Sequence, residues 1–169
     1  FLNFFTSVCY SGNNMFKLAV IIADIRSLHN VGSILRSADG FGVSHIYYAG
    51  YTPYPLQPND TRLPHESRRI TTQIHKTALG AENLPSSLHT TTNDALQAAK
   101  ADGYTIVALE QSDNSLDITK FTPSGDIALL LGNEVAGISD SALQDVDVIL
   151  EIPMFGSKES FNVSVATGI

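Results

Sequence analysis

Three short segments combine glycines with polar side chains that could line a ligand pocket. The first contains Asn30, Gly32 and Arg36. The second is residues 131–139, LGNEVAGIS, and the third is residues 152–166, IPMFGSKESFNVSVA. Glycine lets a backbone come close to a ligand, and small polar side chains supply hydrogen bonds. Three such segments in one short chain favour a binding pocket over three unrelated turns.

Residues alone leave a simpler interpretation of each segment open. Asn30 and Arg36 could belong to an ordinary helix that Asn30 caps, with Arg36 paired to Asp39. Gly132 and Gly137 have the spacing of a phosphate loop, but Ile138 stands where that loop needs lysine. Two interpretations of this second segment remain. One is a glycine turn that lies beside a ligand, and the other is a plain turn with Glu134 in solvent.

The spacing or composition of the residues argues against other kinds of active site. The five histidines form no metal-binding pair, residues 42–46 lack the second glycine of a nucleophile elbow, and no G-x-G-x-x-G is present. The single cysteine, Cys9, excludes an internal disulfide and fits a reducing, cytoplasmic location. No apolar run is long enough to span a membrane. We therefore expect neither a metal nor a membrane.

The elements that position these segments alternate between strands and helices. The apolar runs predict strands at Leu18–Ala23, 44–49, 104–109, Ile127–Leu131 and 148–152, and helical spacing predicts helices at 31–41, 93–101, 139–146 and from 161 onward. Residues 51–64, with four prolines, are a predicted loop. This order predicts an α/β fold with a parallel sheet covered on both faces. Ligands bind such sheets beyond the carboxyl ends of the strands, where the three segments lie.

Charge is divided unevenly along the 169 residues, which suffice for one domain. Residues 1–76 carry seven basic and four acidic side chains, whereas residues 77–169 carry three and thirteen. A uniformly basic nucleic-acid surface is therefore excluded. A local patch is still possible. Its predicted members are Arg62, Arg68, Arg69 and Lys76, and a solvated polar loop is the alternative.

The first 14 residues show neither helical nor strand periodicity. We interpret residues 1–14 as a leader outside the fold, with Met15 as a natural start and residues 15–169 as the domain. A short amphipathic flap is the alternative.

Together, the motifs resemble those of the SpoU (TrmH-type) RNA methyltransferases of the SPOUT superfamily. The matching residues are Asn30-Val31-Gly32 with Arg36, Leu131-Gly132-Asn133-Glu134 with Gly137, Ile152-Pro153-Met154 with Gly156, Ser160-Phe161-Asn162-Val163-Ser164, and the stretch from Lys76 to Glu82. The resemblance implies a parallel sheet whose C-terminal part forms a deep trefoil knot. It also implies S-adenosylmethionine as cofactor, a homodimer, and methyl transfer to a ribose 2′-hydroxyl of tRNA or rRNA.

The resemblance also assigns residues to roles. The cofactor would lie against Leu131, Gly132, Ile152, Met154, Phe161 and Asn162, where Phe161 replaces the family's usual leucine. The catalytic set would be Arg36, Asn30, Glu134, Ser160 and Asn162, with Ser160 facing the substrate phosphate and Glu134 bracing the site. Because a guanidinium is very hard to deprotonate, we interpret Arg36 as an electrostatic clamp, reaching the partner subunit's cofactor.

Two alternative functions belong to other classes of protein. One is a non-catalytic RNA-binding or cofactor-binding module that keeps the pocket glycines without using Arg36. The other is an unrelated α/β enzyme for a small nucleotide. The family usually continues beyond the point that corresponds to Ile169, so closure of the knot and the dimer would depend on that C-terminal part.

Overall fold

The computed structural model describes residues 16–169, so the interpretation of residues 1–14 as a leader and Met15 as the start lies outside the described residues. Seven strands in this range form one sheet, in the order β3-β2-β1-β6-β4-β7-β5, and every pairing among them is parallel. The strands are β1 Leu18–Ala23, β2 His45–Ala49, β3 Ser86–His89, β4 Thr105–Leu109, β5 Leu116–Asp117, β6 Ile127–Leu131 and β7 Val148–Glu151.

The helices of the described chain are α1 Leu28–Gly40, α2 Pro64–Ala78, α3 Thr92–Ala101, α4 Asp140–Leu143 and α5 Val163–Ala166, with short 3₁₀ helices at Ala81–Asn83 and Ile118–Lys120. Helix α2 was not predicted. It buries only a thin stripe that includes Ser67, Ile74 and Ala78, so its sequence is mostly polar and its helical period is weak. The alternative interpretation of the basic residues as part of a solvated loop is wrong for most of them, because Arg68, Arg69 and Lys76 lie on this helix.

Both faces of the sheet are covered, as predicted. In β1, Leu18, Val20 and Ile22 pack with the buried side of α1 and α2, and the alternate residues pack with α3 and α4. Successive strand residues point to opposite faces, so a strand buried on both sides needs a continuous apolar run. The α/β parallel fold is confirmed. The knot implied by the resemblance stays a prediction.

Helices α1 and α2 cross very closely at Gly32. A Cβ atom there would lie 2.1 Å from Thr77 Oγ1 and 2.4 Å from the backbone oxygen of Ile74. Thr77 Oγ1 donates to the backbone oxygen of His29 at 3.0 Å across the same crossing. Only glycine allows this approach, and the crossing places Arg36 of α1 near Lys76 of α2.

Candidate active site

A pocket of about 360 Å³ opens at the carboxyl ends of β4, β6 and β7. Its walls come from the turn after β6, the two residues after β4, and the segment after β7. Every residue predicted to bind the cofactor lines it: Leu131, Gly132, Ile152, Met154, Phe161 and Asn162. Three of the five predicted catalytic residues also line it, namely Glu134, Ser160 and Asn162. The second and third motif segments are thus brought together at the predicted edge of the sheet.

The turn after β6 is built by its own backbone and by Asn133. Asn133 N–H donates to the Gly137 oxygen at 3.1 Å, and Gly137 N–H donates back at 3.0 Å. The Asn133 Oδ1 atom accepts from Val135 and Ala136 N–H at 2.9 and 2.8 Å. A Cβ atom on Gly132 would lie 2.7 Å from the Gly137 backbone carbon. The turn itself therefore requires glycine at 132, whether or not a ligand is bound.

Glu134 connects this turn to the start of α1. Its Oε1 atom accepts from Asn30 Nδ2 at 2.9 Å and from Ser27 N–H at 3.3 Å, and its Oε2 atom accepts from Arg26 N–H at 3.3 Å. Burial on its own raises the pKa of Glu134, but these donors and its own backbone N–H outweigh burial, so the pKa lies below its ordinary value. Glu134 is thus placed to brace the first motif segment against the second.

Asn30 does not cap α1, so that prediction is wrong. The helix begins at Leu28, and Ser27 is its N-cap, whose Oγ atom accepts from the Asn30 N–H at 3.2 Å. This earlier start leaves the Asn30 side chain free to contact a pocket residue, and its Oδ1 atom accepts from Asn162 Nδ2 at 3.3 Å. Asn162 also caps α5, since its Oδ1 atom accepts from Ser164 N–H at 2.9 Å. One hydrogen-bond network thereby joins all three motif segments.

Arg36 lies away from this pocket. It is exposed on α1 and lines a separate shallow cavity of about 490 Å³ with Ser33, Ser37, Lys76 and Thr77. Within residues 16–169 the Arg36 side chain makes no hydrogen bond or ion pair, so the alternative of an Arg36–Asp39 pair is not formed. The predicted catalytic cation is therefore outside the pocket of its own chain.

The predicted basic patch divides into two kinds of residue. Arg68, Arg69 and Lys76 are exposed on α2, and among the described residues their side chains make no hydrogen bond or ion pair. Arg69 and Lys76 are roughly two helical turns apart and so project from the same side. We call Arg36, Arg68, Arg69 and Lys76 the basic face.

Arg62 does not belong to the basic face, because its guanidinium holds the proline-rich loop together. Its Nε atom donates to Asp60 Oδ1 at 2.9 Å, its Nη1 atom donates to the Tyr54 oxygen at 3.0 Å, and its Nη2 atom donates to Asp60 Oδ2 and to the Pro55 oxygen. The guanidinium also stacks on the Tyr54 ring at 3.8 Å. These bonds leave little of Arg62 for an RNA phosphate.

Comparison with known proteins identifies the family. A model of the SpoU rRNA Methylase family matches residues 17–169. The chain belongs to this family. It is 31% identical over 153 residues to the 23S rRNA (guanosine-2′-O-)-methyltransferase RlmB of Coxiella burnetii, covering 90% of this chain and 55% of that protein. It is 30% identical over 152 residues to the tRNA (guanosine(18)-2′-O)-methyltransferase of Escherichia coli, covering 90% of this chain and 60% of that protein.

A solved structure supports the same fold for this SpoU family domain. The AdoMet-bound rRNA methyltransferase from Sinorhizobium meliloti superposes with a TM-score of 0.73 at 26% identity, over 90% of this chain and 53% of that one. The chain thus spans between about half and 60% of the length of these relatives. Its family membership, predicted from the motifs, is confirmed.

Two pocket residues of this SpoU family domain were missed by the sequence reasoning. Glu110 Oε2 accepts from Ile138 N–H at 2.9 Å, and Gln111 Nε2 donates to the Glu159 backbone oxygen at 2.8 Å, which joins two walls of the pocket. Both residues directly follow β4, so the rule that ligands bind beyond strand ends could have found them.

Neither a metal cluster nor a membrane-spanning helix is found in the part of the chain that the structure describes. Within it, no group of three or more His, Cys, Asp or Glu side chains is arranged to hold a metal ion. Over the same residues, no helix combines the length and apolar character that crossing a membrane requires.

Proposed function

We propose that this chain transfers a methyl group from S-adenosylmethionine to a ribose 2′-hydroxyl of tRNA or rRNA. The observation that carries the proposal is the single pocket formed by the second and third motif segments and braced by the first. Support comes from the family match and from the solved relative, which is described as AdoMet-bound. The pocket volume falls within the range of small-molecule sites, roughly 300–1,000 Å³.

The pocket lining suits a cofactor that is part apolar and part polar. Leu131, Ile152, Met154 and Phe161 supply apolar surface, and the Phe161 side chain is 42% exposed, so a bound ring would cover it. Gly132 brings backbone polar groups to the wall. In the proposed reaction the cofactor supplies the methyl group, and these residues hold it and exclude water.

Arg36 is proposed to stabilise negative charge on the ribose oxygen and on a neighbouring phosphate. A guanidinium stays protonated, so it acts by charge and not as a base. Because Arg36 lies outside its own pocket, the proposal requires Arg36 of one copy to complete the pocket of a second copy. Helix α5 packs against α1 and keeps Val165 52% exposed, which offers an apolar surface for such a homodimer.

The basic face is proposed to bind RNA phosphates. Its four cations have no partner among the described residues, although the whole chain is acidic. Phosphate contacts position an RNA without reading its sequence. Ser160, on the pocket rim, is proposed to hydrogen-bond the phosphate next to the methylated ribose. A cytoplasmic location follows from tRNA or rRNA as substrate, and the knotted threading of the C-terminal segment is proposed from family membership.

The proposal is tested by titrating the chain with S-adenosylmethionine and with its demethylated product in a calorimeter. The chain is then incubated with unmodified tRNA and rRNA, and the nucleosides are analysed for ribose methylation. Binding together with ribose methylation supports the enzyme. Binding without transfer to any RNA would favour the non-catalytic module, and binding of a plain nucleotide in preference to both compounds would favour a different α/β enzyme.

A further inference from the structure

A second group of side chains lies beside the pocket and has no role in the proposed chemistry. Arg26 follows β1 and Tyr51 follows β2, so both lie at the carboxyl edge of the sheet. The Arg26 guanidinium carbon lies 5.6 Å from the centroid of the Tyr51 ring. The Tyr51 side chain is 55% exposed, and Arg26 is exposed as well. A large aromatic ring and a cation therefore present a joint surface to solvent.

Tyr51 is held in place at both ends. The hydroxyl oxygen of Tyr51 accepts from Asn133 Nδ2 at 3.0 Å, and the backbone N–H of Tyr51 donates to Asp24 Oδ1 at 3.2 Å. The preceding Gly50 has φ +63°, and a Cβ atom there would lie 2.0 Å from Asp24 Oδ1. An exposed ring fixed in this way loses little entropy when it binds a planar ligand.

Asn133 and Arg26 connect this surface to the pocket. Asn133 lines the pocket and holds Tyr51, and Arg26 N–H donates to Glu134, another pocket residue. Tyr51 also borders a cavity of about 550 Å³ whose walls carry the Asp24 carboxylate and the hydroxyls and amide of Thr90, Thr91, Thr92, Asn93, Ser139 and Ser141. A planar group on the ring would thus lie close to the pocket and to a wall of hydrogen-bonding groups.

We propose that Arg26 and Tyr51 form a stacking platform for an unpaired RNA base close to the ribose that is methylated. The inference rests on the proposed function, since it places the base of the same substrate. Single-stranded bases stack on aromatic rings and on guanidinium planes, and their exposed edges are then read by hydrogen bonds. Arg26 adds a positive charge for the neighbouring phosphate, and the hydroxyls of the second cavity face the edge of the base.

The test compares three variants at this surface with the wild-type chain. Tyr51→Ala removes the aromatic ring, and Tyr51→Phe keeps the ring without its hydroxyl. Arg26→Lys keeps the positive charge but removes the planar guanidinium group. Leu56→Ala is the matched control, because Leu56 lies in the same loop and is 54% exposed. The probes are an unmodified tRNA transcript and a single-stranded RNA of about 12 nucleotides that contains the fluorescent base 2-aminopurine.

Tyr51→Ala is expected to weaken RNA binding by about 5- to 100-fold, the range for loss of one stacked base. Tyr51→Phe and Leu56→Ala are expected to stay within about 3-fold of wild type, since both keep the ring. The RNA affinity of Arg26→Lys is expected to lie between that of Tyr51→Ala and that of Tyr51→Phe. The 2-aminopurine fluorescence is quenched on binding to the wild type and to Tyr51→Phe, and not on binding to Tyr51→Ala. Affinity for S-adenosylmethionine stays unchanged in all four variants.

Several results would overturn the platform. One is equal RNA affinity of Tyr51→Ala and Leu56→Ala, another is loss of S-adenosylmethionine binding in Tyr51→Ala, and a third is a change of oligomeric state without a change of RNA affinity. Absence of RNA binding by the wild-type chain would also overturn it. If the wild type methylates RNA and Tyr51→Ala binds equally well, only the platform fails. If RNA binding depends on Tyr51 but no ribose is methylated, only the proposed function fails.

Discussion

The pocket and the basic face differ in how their polar side chains are held. At the pocket, Glu134 and Asn162 bond to Asn30 beside it and to nearby backbone groups, so their geometry is fixed before any ligand arrives. On the basic face, the side chains of Arg36, Arg68, Arg69 and Lys76 have no partner within residues 16–169. The hydrogen bonds of the first region are made within a single chain, and the second region presents charges that have no partner there.

This difference separates two requirements of the proposed reaction. A cofactor must be bound in one orientation, and pre-formed hydrogen bonds favour that because they cost no reorganisation on binding. An RNA backbone is long and flexible, and unpartnered cations can follow it. Changes in the pocket should therefore affect cofactor binding, and changes on the basic face should leave cofactor binding intact.

Replacement of Arg36 by alanine should have the largest effect on transfer. We expect methyl transfer to fall by about 100- to 1,000-fold, the cost of removing one group that stabilises charge in a transition state. The affinity for S-adenosylmethionine should not change, because Arg36 is proposed to act on the ribose oxygen and the RNA phosphate, and every residue proposed to hold the cofactor belongs to the pocket of one chain. Transfer rates at saturating cofactor and calorimetric titration measure the two effects. Lys120→Ala, which removes an exposed cation that follows β5 at one edge of the sheet, is the control.

Mixing experiments sharpen this prediction. The Arg36→Ala variant and a variant with a disruptive substitution in the pocket should each be inactive on their own. A mixture of the two variants should regain part of the activity if Arg36 of one copy completes the pocket of a second copy. An undiminished rate in Arg36→Ala would contradict the proposed clamp.

Replacement of Gly32 by alanine should disturb the basic face through the fold. The added Cβ would meet the Ile74 backbone oxygen at 2.4 Å, which no side-chain rotation can relieve, so α1 and α2 must move apart. We expect a loss of unfolding free energy of about 1–3 kcal/mol, or more, measured by chemical denaturation. Gly40→Ala is the matched control at the end of the same helix, with no atom within 4 Å of its Cβ, and should be neutral or slightly stabilising. Equal stability of the two variants would disprove the close crossing.

Much of the fold could be predicted from the sequence because its signals are local. The apolar runs at β1 and β6 match the observed strands at both ends, since a strand buried on two faces needs apolar residues throughout. Helix α2 was missed because Ile70, Ile74 and Ala78 are a weak apolar stripe in a polar run. The parallel sheet could be inferred without it.

The site was less predictable, for reasons that involve tertiary contacts. The rule on strand ends placed Gly132 and Asn162 at one edge, and the structure brings both to one pocket. Nothing local distinguishes Arg62, held by Asp60 and the loop backbone, from the exposed Arg69. The position of Arg36 outside the pocket depends on the α1–α2 crossing, which only the folded chain reveals.

Replacement of Glu134 by glutamine should have the smallest effect and should be confined to the pocket. The donors around Glu134 hold its pKa below the ordinary 4.5 in the folded chain, although partial desolvation of the carboxylate opposes them. Its ionised form therefore contributes stability that is fully present above about pH 4.5 and is lost as the pH falls through the lowered pKa. Because the side chain is exposed to solvent, we expect Glu134→Gln to lower the unfolding free energy by less than about 1 kcal/mol at neutral pH.

The pH dependence decides whether this effect comes from the charge of Glu134. The difference between wild type and Glu134→Gln should shrink as the pH falls below about 4.5, measured by chemical denaturation from about pH 7 to pH 3. Glu159→Gln is the control, since the Glu159 carboxylate is exposed and makes no hydrogen bond within the described chain. A difference that stays constant over this range would mean that shape, not charge, holds Glu134 against Asn30. RNA binding by the basic face should be the same in both variants, because neither substitution adds or removes one of its four cations.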